Sequence, residues 1–240
     1  MYNLILILSP FIIFLLSEFC KKKNFLLNFS GDKHQKFVVK DKIPLIGGFY
    51  IFCFFLFFFY EKASLLLFIF LIFTLGFLSD LKVFVSPKSR FLIQILILFL
   101  FVFYFNLQIG NTKIIFIDKF ITHDIYNLFF VVFCLLILIN GSNFIDGLNT
   151  NVLGYYIIIS FFLINVNENF FTINFVLWNF WVISLIIIFI FNFFNKFFIG
   201  DSGAYTLGLI YGYILIKFFN QTEFLSSLYI VVLLWYPCFE

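Results

Sequence analysis

The sequence predicts an all-α fold, a polytopic transmembrane helix bundle, on three observations. Apolar residues make up 64% of the 240 residues and charged residues only 11%, where a soluble domain is near half apolar and a quarter charged. The apolar residues fall into runs of about 17–25, the length that crosses a bilayer. The cations gather in alternate loops between those runs, as the positive-inside rule expects of a multi-pass chain.

Nine runs are legible: 2–19, 43–60, 63–79, 90–107, 125–142, 152–167, 171–193, 202–219 and 224–240. The first is not a cleavable signal peptide. No basic residue precedes it, no small residues mark a cleavage point, and its basic cluster Lys21-Lys22-Lys23 follows it. The second opens on Pro44 and Gly47-Gly48, the third stops at Asp80, and a Ser86-Pro87 turn leads into the fourth. Segment 112–124 reads as a short amphipathic strand or helix. The sixth run is the shortest. The eighth carries Ala204, Gly208 and Gly212 on one face, small residues that let helices approach closely. Pro10 and Pro237 lie near span ends or kink their helices. No internal repeat appears, so residues 1–240 read as a single integral-membrane domain.

Nine spans divide the loops into two sets. The set 20–42, 80–90, 140–151 and 192–202 carries 11 Lys and Arg, the other set 4. The first set is therefore placed in the cytoplasm and the N-terminus outside. The abundance of Phe, at 45 residues, and of Ile, Asn and Lys reads as A/T-rich coding bias. Against that bias the single Arg90 stands out, because its planar fork suits phosphate in a way lysine cannot copy. Cys20, Cys53, Cys134 and Cys238 show no metal-type spacing and read as small buried hydrophobes.

Four polar segments fall on or beside the cation-rich set, and their carboxylates played no part in deriving it. A carboxylate at membrane depth costs about 2.5–3.5 kcal/mol, so a chain that keeps Asp32, Asp80, Asp146 and Asp201 on one face points to chemistry there. In the first loop, Lys21 to Lys23 read as a headgroup anchor. Lys33, His34 and Lys36 read either as more of that anchor or as phosphate ligands, because Gly47-Gly48 downstream lets backbone approach a ligand closely. Asp80 precedes Lys82, Lys88 and Arg90, read either as a solvated loop or as three cations that hold a phosphate. Asn140, Asn143, Asp146 and Asn149 recur every three residues, so neighbouring pairs share a helix face, as a helix-end cap or as a ligand set. Asp201 and Ser202 open the eighth span, where Asp201 caps the helix, ligates Mg²⁺, or does both.

At these residues the chain resembles the polyprenyl-phosphate N-acetylhexosamine-1-phosphate transferases, the superfamily of undecaprenyl-phosphate GlcNAc-1-phosphate transferases and phospho-MurNAc-pentapeptide translocase. The resemblance runs, in order, through His34 to Gly48, Gly76 to Gln94, Asn140 to Gly154 and Phe198 to Gly203. It implies an Mg²⁺-dependent enzyme in the bacterial inner membrane with a cytoplasmic active face. Such an enzyme moves a sugar-1-phosphate from a UDP-N-acetylhexosamine to polyprenyl (undecaprenyl) phosphate and initiates envelope polysaccharide, with O-antigen-type surface polysaccharide favoured. No nucleic-acid partner is expected. The resemblance further implies Asn143 and Asp201 as metal ligands, Asp146 as the holder of the metal–diphosphate or nucleotide end, and Asp80 as the group that positions or deprotonates the lipid phosphate. The chain departs from the pattern at Ser79 and Asn149, where many relatives have Asp. It also stops at Glu240, where relatives continue into a His-rich cytoplasmic loop and a last span, so truncation is expected. Two rival readings follow from these features: an inactive truncated relative, and a transporter of a lipid-linked or anionic solute.

Overall fold

The computed structural model describes residues 2–27, 43–83, 86–110, 112–146, 150–166 and 175–222. Nine helices run through them: α1 (Tyr2–Lys23), α2 (Gly47–Phe58), α3 (Ala63–Asp80), α4 (Pro87–Phe105), α5 (Ile115–Ile121), α6 (Asp124–Ile145), α7 (Asn151–Val166), α8 (Phe175–Phe193) and α9 (Gly200–Gln221). Among the described residues α3, α4, α6, α8 and α9 are long and apolar enough to cross a bilayer, and α2 is a shorter apolar helix, as is most of α7. The protein is a multi-pass membrane protein. Of the nine expected spans, eight coincide with helices and 224–240 lies outside the described residues. Segment 112–124 resolves in favour of a helix, α5.

One expected span starts late for an identifiable reason. The second, expected from 43, is helical only over Gly47–Phe58. Pro44 cannot donate a backbone hydrogen bond, and its carbonyl instead accepts the N–H of Phe198 at 2.9 Å. Gly47 and Gly48 then donate to the carbonyls of Phe198 and Ile199, both at 3.0 Å. The backbone of 44–48 is thus stitched to the segment before α9. Pro10 lies inside α1.

α9 is the axis of the bundle, packed against α2, α3 and α6. It is the least apolar of the five long helices and by far the most buried. The two properties belong together. A helix surrounded by other helices needs no lipid-compatible surface, and small residues there bring its neighbours close. A Cβ on Gly208 would stand 2.8 Å from the Cα of Ile139, and one on Gly212 2.4 Å from Leu135 Cδ2, so α6 lies directly on this face. Buried hydroxyls add specific links. Ser142 Oγ meets Tyr156 OH at 2.5 Å between α6 and α7, and Ser160 Oγ meets Tyr211 OH at 2.5 Å between α7 and α9. The outer helices show the converse pattern. On α4, Leu92, Leu96, Leu100 and Phe103 form an exposed stripe while Gln94, Leu98, Phe101 and Val102 are buried, one helical face for lipid and one for the bundle.

Candidate active site

Helix alternation brings the C-terminal ends of α3 and α6 to the same end of the bundle as the N-terminal ends of α4 and α9. The polar residues of that end come from all four helices.

Asp80, the last residue of α3, reaches across to α9. Its two carboxylate oxygens accept the backbone N–H groups of Asp201 at 2.8 Å and Ser202 at 3.1 Å. The residue preceding the helix, Ile199, has no side chain able to do this, so Asp80 serves as the cap for α9 from a different helix. The contact is close because Gly200 has φ +67° and no side chain; a Cβ there would lie 2.7 Å from Asp80 Oδ2. The expectation that Asp201 caps its own helix is therefore corrected: the helix already begins at Gly200, and the Asp201 carboxylate turns to Ser79 and Arg90.

Asp201 faces α3 and α4 instead. Arg90, in the first turn of α4, donates from Nη1 to Asp201 Oδ2 at 2.5 Å. Ser79 Oγ donates to the same oxygen at 2.6 Å and accepts a hydrogen bond from Arg90 Nη1. Asp201 Oδ1 has no hydrogen-bond partner among the described residues. Gly76 permits the arrangement, since a Cβ on it would sit 2.5 Å from the Cα of Ser202.

The third wall is the end of α6. Asn140 is turned toward α4, where its amide donates to Gln94 Oε1 at 2.9 Å and back to the Leu136 carbonyl at 2.8 Å. Asn143 and the C-cap residue Asp146 are partly buried, and neither side chain makes a hydrogen bond among the described residues. The Asp146 carboxyl is held well above the usual carboxylate range, first by burial and then by the negative charges of Asp80 and Asp201.

Of the residues singled out in the sequence, the structure brings Asp80, Arg90 and Asp201 into direct contact and places Asn143 and Asp146 at the same end. Lys82 and Lys88 are exposed, in the turn after α3 and the first turn of α4. Lys33, His34, Lys36 and Asn149 lie outside the described residues. Gly47-Gly48, expected to admit a ligand, instead admits α9: a Cβ on Gly48 would lie 2.5 Å from the Gly203 nitrogen. Gln94 escaped the sequence reading as a site residue, because a lone Gln in an apolar run gives no periodic signal. The same holds for Tyr205, buried near the start of α9.

Three carboxylates thus gather at one end of the bundle with a single arginine among the described residues. The oxygens left without partners, Asp201 Oδ1 and those of Asn143 and Asp146, are hard donors that suit a divalent cation such as Mg²⁺, which takes one or two carboxylates and completes its shell with phosphate and water. Among the described residues no three Asp, Glu, His or Cys side chains close around one point.

The sequence model of Glycosyl transferase family 4 matches residues 62–219, more than half of the chain, from the start of α3 almost to the end of α9. The chain belongs to glycosyl transferase family 4. No curated protein matches it. Membership makes it a membrane-bound transferase that passes a sugar phosphate from a donor to a lipid acceptor. The matched stretch contains every described polar residue of the site.

Proposed function

We propose that this family 4 enzyme transfers an N-acetylhexosamine-1-phosphate from a UDP-sugar to polyprenyl phosphate, with Mg²⁺, at the cytoplasmic face of a bacterial inner membrane. The product would be a lipid diphosphate sugar that starts a surface polysaccharide, and UMP would leave. The observation that carries the reading is the Arg90–Asp201 pair at the same end of the spans as Asn143 and Asp146, whose side chains make no hydrogen bond among the described residues: one cation and several free oxygens.

Asp201 and Asn143 would hold the metal and Asp146 its diphosphate-bearing side. When bound, the metal supplies charge neutralisation on the diphosphate. Arg90 offers its planar fork to a phosphate, and Lys82 and Lys88, with Lys33, His34 and Lys36 of the first loop, would add further phosphate contacts. A phosphate monoester is already mostly dianionic at neutral pH, so the acceptor needs little help from a base. Catalysis of phosphoryl transfer rests mainly on positioning and charge stabilisation. We favour direct attack of the lipid phosphate oxygen on the β-phosphorus of the donor, the one bearing the sugar, with UMP as leaving group. Asp80, bound to two α9 amides, would then act by placing Asp201 and the incoming phosphate.

A transporter would concentrate polar groups near mid-bilayer, often in broken helices; here they collect at helix ends. The deciding experiment is a transfer assay in membranes, with radiolabelled UDP-N-acetylhexosamines, undecaprenyl phosphate, with and without Mg²⁺. Label in lipid that needs Mg²⁺ and is absent from Asp201→Asn is the expected result. No labelled lipid from any donor, with folded protein, would favour an inactive relative. A sugar-phosphate adduct isolated on the enzyme would rule out direct attack.

A further inference from the structure

A second feature lies at the opposite end of the bundle. α3 runs from one end to the other over 18 residues, about 27 Å at 1.5 Å per residue. Where Asp80 marks the carboxylate end, Lys62 and Leu65 mark the other, and beside them opens a cavity of about 350 Å³. Phe55, Phe59, Trp178 and Tyr213 supply its aromatic wall, and Lys62 and Lys217 are its only charged lining residues among the described residues.

Neither lysine forms an ion pair among the described residues, where the ion pairs are Lys21–Glu18 and Arg90–Asp201. Lys62 has a ring for company, with Nζ 6.0 Å from the centroid of Phe59, but no anion. The apolar walls strip water from its ammonium and lower its pKa from the ordinary lysine value. Two cations without a counter-charge among the described residues, over a concave aromatic surface at the ends of membrane helices, form an incomplete site. A phosphate would complete it electrostatically and an acyl chain would cover its rings.

We propose that this cavity binds an anionic phospholipid from the adjoining leaflet, its phosphate held by Lys62 and Lys217 and its chain laid against Phe55, Phe59, Trp178 and Tyr213. A zwitterionic lipid fits less well, because among the described residues no carboxylate lines the cavity to receive its ammonium group; the neighbouring Glu61 is exposed and not part of the wall. Free phosphate lacks the chain that the aromatic wall would cover. The inference needs only a membrane-embedded chain. It stands or falls separately from the transferase chemistry at the other end.

The test uses the full chain in nanodiscs of equimolar phosphatidylglycerol and phosphatidylcholine, followed by extraction, purification and mass spectrometry of the lipid that stays bound. Retained phosphatidylglycerol should exceed phosphatidylcholine by about fivefold for each lysine engaged. The double variant Lys62→Gln/Lys217→Gln should lose that preference, and Lys62→Arg/Lys217→Arg should keep it, which separates loss of charge from loss of fold. Asp201→Asn should retain the lipid as the unmodified chain does. Equal retention of both lipids, no retained lipid, or a preference that survives the double Gln variant would overturn the proposal. Displacement of the phosphatidylglycerol by millimolar inorganic phosphate would reassign the cavity to a free anion and overturn it as well.

Discussion

Asp201 spends one carboxylate oxygen on Arg90 and Ser79 and keeps the other unbound, so its neighbours set its orientation while leaving it able to bind. Replacing it by Asn removes the charge but keeps the shape, and transfer should fall by about 10²-fold or more, read as initial rate at saturating Mg²⁺. Arg90→Lys should lower the rate by about tenfold, because Nη1 alone meets Ser79 and Asp201 and an ammonium that takes its place has no second coplanar nitrogen to offer a phosphate. Asp146 gives a stability prediction with a definite sign. Its folded pKa is raised by burial, Asp80 and Asp201, so the unfolded chain gives up that proton at lower pH than the folded one. Stability from this group is fully present below about pH 3.9, the unfolded value, and is lost as pH rises toward the folded pKa. Asp146→Asn should therefore raise the melting temperature near neutral pH in EDTA, and added Mg²⁺ should narrow the gap. An unchanged melting temperature in EDTA would refute the strain. At this scale the sequence showed which residues are exceptional, since Asp80, Asp146 and Asp201 stand out in an apolar chain. It did not show that Asp80 caps α9, because a cap supplied from 121 residues away has no local signature.

At the scale of elements, the glycines of α3 and α9 decide how close the helices come. Gly76 and Gly208 are both too close to neighbouring backbone for a Cβ, so Gly76→Ala and Gly208→Ala should each cost about 1–3 kcal/mol of overpacking, seen as lowered thermal midpoints in detergent. They should differ in activity. Gly76 abuts Asp201 and Ser202, so its substitution should depress transfer beyond what lost folded protein explains. Gly208 sits against Ile139, two turns along α9 from Asp201, and should leave the specific activity of the folded fraction nearly intact. The Ala204, Gly208, Gly212 spacing announced this packing face in the sequence. Its partner, α6, was not readable, because helix pairing across a bilayer depends on surfaces from segments far apart in the chain. The helix boundaries erred where backbone was claimed by tertiary pairing: residues 43–46 look as apolar as a span, yet Pro44 pairs with Phe198 and Leu45 with Leu26.

For the whole molecule, apolar run length and cation asymmetry were enough to sort the loops into two ends, and the helices follow that division. Which end faces the cytoplasm is a prediction from 11 cations against 4. In a chain with its cysteines replaced by serine, Lys88→Cys should react with an impermeant maleimide only in inverted vesicles, and Lys119→Cys only in right-side-out cells. The reverse pattern would invert the topology and with it the proposed cytoplasmic reaction. The bond from Asp80 to the start of α9 also bears on biogenesis. The carboxylate emerges from the ribosome 121 residues before the amides it will bind, an interval on the order of ten seconds at ordinary elongation rates. Throughout that interval α3 carries an unsatisfied anion at its end, which water or lipid headgroups must shelter during insertion. A nascent chain stalled before residue 200 has already made α1 to α8 and still lacks both the Asp201 carboxylate and the amides that Asp80 will bind.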